Sequence, residues 1–171
     1  MGLIKDIHEM DSYFLAGRLD VPLFGTEIEV EIERDPAVDP AYAEKCAEHL
    51  VNLSDEMIDE LCEKAVRYCN FMREQWGDFS DIYPDVAEDI DTNIPEDISG
   101  RDILRYIFKP VLFISEPDGE GIGYNVEAQC VWEPEHGIDR IFRDDRVLYA
   151  ASPEGLGAWA DDDEYETVFD E

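Results

Sequence analysis

The segment Thr26–Glu33, TEIEVEIE, constrains the fold more than any other part of the chain. Ile28, Val30 and Ile32 alternate with Glu27, Glu29, Glu31 and Glu33. A period of two sets the aliphatic side chains on one face of a strand and four carboxylates on the other. One face is made for a core and the other for solvent. Upstream, SYFLAG supplies a partner strand, and the Pro- and Gly-containing DVPLFG between the two reads as the connection, so residues 12–33 form a strand pair.

Helical spacing follows. Asp39 caps a helix that starts at Pro40, with Ala43, Cys46, Ala47, Leu50 and Val51 on its apolar stripe. Ser54 caps the next helix, whose first turn carries Asp55 and Glu56, and Leu53 staples onto Ile58. Its stripe runs Met57, Ile58, Leu61, Cys62, Ala65, Tyr68, Cys69, Met72 and Trp76, and Gly77 is its stop. Residues 78–97 are acidic and broken by Pro, which predicts a loop. Ser99 and Asp102 form the capping box of a third short helix ending near Phe108, and VLFIS after Pro110 is a buried strand. A second alternating strand within residues 120–133 holds Ile122, Tyr124, Val126, Ala128, Cys130 and Trp132 on one face. The turn PEHG leads to a strand at 138–143, and Asp144-Asp145 joins it to a return strand, RVLYAA.

Strands, then helices, then strands predict an α+β domain: an antiparallel sheet from an N-terminal hairpin and a C-terminal meander, with two to three helices on one face. Residues 1–152 make this domain, and the Gly-rich then acidic residues 153–171 are expected to be a weakly ordered tail. At 171 residues the chain buries enough surface to fold without a disulfide or metal. Cys46, Cys62, Cys69 and Cys130 form no Cys-x-x-Cys pair and read as reduced, buried thiols. With no signal-peptide run and no membrane span in the sequence, the expected location is the cytoplasm.

Charge bounds the partners. Asp and Glu total 44 against 13 Lys and Arg, a formal net charge of −31. Nucleic acid is a poor partner for such a surface, because binding it rests on cations that neutralise phosphates. Anionic membranes are disfavoured for the same reason. A basic protein is favoured, with charge steering the encounter. The plainer alternatives are solubility or a salty habitat.

Three groups of residues could carry such binding. Glu27, Glu29, Glu31 and Glu33 offer a docking face, or else a solvated face or a sheet edge guarded by charge. They cannot wrap a cation from one straight strand, so no metal is expected. Glu133, Glu135 and His136 are the densest titratable group near a turn. A carboxylate beside a His can do general acid–base work, but nothing in the sequence supplies a nucleophile or a phosphate cradle, so no catalytic residue and no cofactor is assigned. Pro134 and Gly137 suit a structural turn instead. Asp161, Asp162, Asp163 and Glu164 open the acidic tail, whose Tyr165, Val168 and Phe169 suit folding onto a basic partner. Asp89, Asp91 and Asn93 have the first spacing of an EF-hand loop, but Ile94 and Gly100 stand where Gly and Glu are required, which excludes one.

Trp132, Glu135, His136 and Gly137, with Leu23, Phe24 and Gly25 before the alternating strand, resemble a bacterial family known as a domain of unknown function, marked by Trp-x-x-Glu-His-Gly between C-terminal strands. The resemblance covers residues 12–150. It implies no activity and transfers no catalytic residue. Small acidic bacterial domains of this kind resemble immunity proteins of toxin systems. The expectation is therefore a non-catalytic acidic protein that binds a basic toxin. The alternatives are a hydrolase using Glu133, Glu135 and His136, a generic acidic interaction domain, or a DNA mimic with carboxylates in two regular rows.

Overall fold

A computed structural model describes residues 2–76 and 94–169. Seven strands form a single sheet in chain order: β1 (Lys5–Glu9), β2 (Phe14–Val21), β3 (Thr26–Glu33), β4 (Ile107–Ile114), β5 (Gly123–Cys130), β6 (Ile138–Arg143) and β7 (Arg146–Ala151). Neighbours are antiparallel except β3 and β4, which run parallel. That one parallel pair joins the hairpin half to the meander half. It requires a long crossover, which contains α1 (Pro40–Val51) and α2 (Asp55–Trp76). The expected α+β architecture is the observed one.

The period-two pattern of β3 holds in three dimensions. Ile28, Val30 and Ile32 are buried toward the helices, with Leu112 and Ile114 of β4 and Tyr124, Val126 and Cys130 of β5. The α2 residues Met57, Leu61, Ala65, Tyr68 and Met72 are buried against them. Asp39 accepts from Ala41 N at 2.9 Å, and the Ser54 hydroxyl accepts from Met57 N at 3.2 Å, so both helices start at the residues whose side chains cap them. All four cysteines are unpaired and buried.

Five boundaries differ from the sequence reading. β5 keeps only Gly123–Cys130 of the expected strand, so Ile122 and Trp132 lie outside it. β2 runs on through Asp20 and Val21, because the turn needs only Pro22–Phe24 and Gly25 at φ +66. β1, exposed at every residue, has no alternation to betray it. The segment at Gly100–Tyr106 is a 3-10 helix, and Ser99 makes no side-chain cap there. β4 begins at Ile107, before Pro110, with the register shifting between Phe108 and Val111. Pro110 is tolerated there because a bulge asks no ladder hydrogen bond of it. The expected stop at Gly77 and the EF-hand-like Asp89, Asp91 and Asn93 lie outside the described residues, as does the 78–97 loop up to residue 93.

Residues 153–169 carry contacts into the domain. Asn125 donates to Leu156 O at 3.1 Å, and Arg143 donates to Ala158 O at 3.1 Å, so this segment lies on the sheet face away from the helices. Tyr165 is buried, its hydroxyl donating to Gly157 O at 2.5 Å and accepting from Ala160 N at 3.0 Å. Phe169 stacks on Tyr68 of α2, with ring centroids 5.8 Å apart. The segment thus passes from the outer face around the β7 edge to the helix layer.

Candidate functional site

The open half of the outer face collects carboxylates. Register places Glu29 beside Arg18 and Val111, Val111 beside Glu127, and Glu127 beside Asp139. Neighbouring strands lie about 4.8 Å apart, so directly opposed like charges repel. Burial raises the Glu31 pKa, with further repulsion from Glu29, Glu127 and Asp11. Burial alone raises Glu127. Asp139 is 1% exposed, and burial, then repulsion from Glu127, push its pKa up to about 7, although Asn125 donates to both of its oxygens at 3.2 and 3.1 Å.

The sequence-predicted binding residues divide under this geometry. β3 is an interior strand, which removes the guarded-edge reading of its carboxylates. Glu27 is held by Lys5 at 2.7 Å and Arg18 at 2.7 Å, whereas Glu29 stands exposed. Glu33 lies at the end of the strand, opposite Phe14. Asp161 and Glu164 close a capping box on each other's backbone. Asp162 bridges Arg143 at 3.0 Å and Arg146 at 3.4 Å, and Asp163 is exposed.

The Glu133–His136 turn is built on glycine. Gly137 takes φ +75, and a Cβ there would come within 2.1 Å of Ala128 O. Its N–H donates to Glu133 O at 2.7 Å, and its carbonyl accepts from Tyr68 Oη at 2.9 Å. His136 Nδ1 lies 3.6 Å from Glu133 Oε1. Glu133, Glu135 and His136 bring one ligand atom each within 4.8 Å of one another, close enough to share a cation. Glu135 and His136 are exposed, so the group converges on an open turn.

A feature absent from the sequence reading lies on the other side of the sheet. A cleft of about 670 Å³ is walled by the Pro22–Thr26 turn, by Arg101, Leu104 and Arg105, by the start of β4 and by Arg140. Arg101, Arg105, Lys109 and Arg140 are four of the chain's 13 cations, and among the described residues no carboxylate lines the cleft with them. Arg101 is committed to Asp55 at 3.0 Å and Asp59 at 3.3 Å. Arg140 is 1% exposed; its Nε donates to Val126 O at 3.3 Å, and among the described residues neither Nη has a hydrogen-bond partner. The Phe24 ring covers its guanidinium, 4.8 Å from centroid to carbon. Burial lowers the Arg140 pKa to about 10, so the group stays charged at neutral pH. An unpaired buried ion costs several kcal/mol. The missed signal was legible: in Ile138-Asp139-Arg140-Ile141-Phe142, the alternation puts Arg140 on the core face between Ile138 and Phe142.

Fold and surface together define a small α+β domain with carboxylates on one sheet face and a cationic cleft on the other side. The chain belongs to a family described as Domain of unknown function (DUF6985), which matches residues 3–157. No curated protein and no solved structure matches it. Among the described residues no helix is long and apolar enough to cross a membrane.

Proposed function

We propose that the protein is a non-catalytic binding domain that docks a basic protein on the carboxylate face of its sheet, in the manner of an immunity-type antidote from a bacterial toxin system. One observation carries this reading: in a chain of net charge −31, Glu29, Glu31 and Glu127 gather on one sheet face, and Glu31 and Glu127 have raised pKa values. A basic partner supplies counter-charge that offsets the mutual repulsion of these carboxylates and favours their ionised form. Trp132, Glu135, His136 and Gly137 belong to this proposal as the mark of a bacterial family, with Gly137 shaping the turn. The test is association with the product of the neighbouring gene. The triple variant Glu29→Gln, Glu31→Gln, Glu127→Gln should slow complex formation about tenfold, by loss of electrostatic steering. Unchanged association of the triple variant with a bound basic partner would exclude this face.

A second reading, hydrolysis at Glu133, Glu135 and His136, has their convergence within 4.8 Å in its favour. Their position on an open turn provides little to exclude water or hold a substrate.

A further inference from the structure

We propose that the cleft between the Pro22–Thr26 turn and the start of β4 binds a small amphiphilic carboxylate, its head on Arg140 and its apolar body against Leu23, Phe24, Leu104 and Phe108.

The argument starts from Arg140. A guanidinium has five donors and no acceptor, and buried donors are almost always satisfied. Here one donor is used, on Val126 O, and among the described residues both Nη groups are unpartnered. No ion pair reaches Arg140 among the described residues. Asp139, its neighbour in sequence, alternates onto the opposite face of β6, where it bonds Asn125. The two vacant Nη groups lie in one plane, and two coplanar oxygens are their natural complement. A carboxylate offers that geometry and a single charge to match the single buried cation.

The rest of the cleft fits the same ligand. Its volume, about 670 Å³, is in the range of small-molecule sites. Leu23, Phe24, Leu104 and Phe108 supply apolar wall, so the body of the ligand is hydrophobic. Arg105 and Lys109 line the cleft and make no ion pair among the described residues. They give it a local positive field in a molecule that otherwise repels anions. Lys109 sits at φ +52 in the β4 bulge, beside Pro110. Phe24 lies on the guanidinium from a short turn, so the ligand head reaches Arg140 by displacing this ring. The cleft and the carboxylate face are on opposite sides of the sheet, so this site stands or falls apart from the docking proposal.

The probes are 2-naphthoate, its neutral isostere 2-naphthamide and inorganic phosphate, titrated calorimetrically into the full chain. Naphthoate should saturate one site, with the amide about tenfold weaker or worse, since it leaves the buried charge unpaired. Arg140→Met, which keeps the volume, should lower naphthoate affinity by about tenfold or more. Should that variant fail to fold, the wild-type protein decides alone: the Arg140 Nε–H resonance should shift on naphthoate addition and saturate with the calorimetric curve. Absence of saturation below about 1 mM, the weak end of specific binding, overturns the proposal. So does equal binding of the amide, or an Arg140 resonance that does not move. Phosphate displacing naphthoate at equal concentration would overturn it too, because the cleft would then be only a charge sink.

Discussion

Asp139 shows how one residue can set the pH response of the molecule. Its carboxyl titrates near 7 in the fold against an ordinary 3.8, so between these values the native state binds more protons than the unfolded chain. Stability therefore falls as pH rises through this window. Glu31 and Glu127 are raised too and push the same way. At 1.36 kcal/mol per pH unit, ionising Asp139 in place is worth a few kcal/mol. Asp139→Asn should gain about 1–4 kcal/mol in urea denaturation at pH 8 and almost nothing at pH 4. An equal gain at both pH values would refute the assignment. Gly137 is the complementary case, a backbone requirement instead of a charge. Gly137→Ala should cost more than about 2 kcal/mol, from a left-handed backbone and a collision with Ala128 O. A loss below about 0.5 kcal/mol would mean that the turn relaxes freely. The turn glycine was legible in PEHG; the Asp139 shift was not, because it arises from burial under a covering segment and then from Glu127 on another strand.

Elements with a strong period were legible, and elements held by tertiary contact were not. β3, α1, α2 and the Asp144-Asp145 hairpin stand where their alternation, caps and turn residues put them. β1 has charged residues at alternate and adjacent positions alike, and it exists because β2 offers it an edge. The acidic composition of residues 153–169 hides Tyr165 and Phe169, whose rings anchor the segment on opposite sides of the β7 edge. Among the candidate binding residues, strand position alone put Glu29 and Glu31 on a face with Glu127, and no local pattern announced that Glu27 and Asp162 would be tied up in ion pairs. Three substitutions test the element level by thermal and urea denaturation. Leu61→Ala should cost about 2–5 kcal/mol, by lost burial and a cavity beneath α2. Tyr165→Ala should cost about 2–4 kcal/mol, while Tyr165→Phe, which removes only the hydroxyl bonds to Gly157 and Ala160, should cost about 1 kcal/mol. A neutral Tyr165→Ala would show that the segment is not anchored there.

At the scale of the whole molecule, net charge couples folding and binding in opposite senses. With −31 charges, the native state carries a self-repulsion that added salt relieves. The Debye length shrinks from about 30 Å at 0.01 M to about 8 Å at 0.15 M, a span that covers most charge separations in a domain this size. The midpoint of thermal unfolding should therefore rise over that interval. Steered association with a basic partner should slow over the same interval, because screening removes the long-range attraction while short contacts persist. The dissociation rate should change far less. One stopped-flow series and one melting series across identical buffers measure both effects. A melting point that rises while the association rate stays flat would locate the function of the charge in solubility alone. A slower on-rate that the Glu29, Glu31 and Glu127 variant abolishes would tie the steering to the sheet face that carries them.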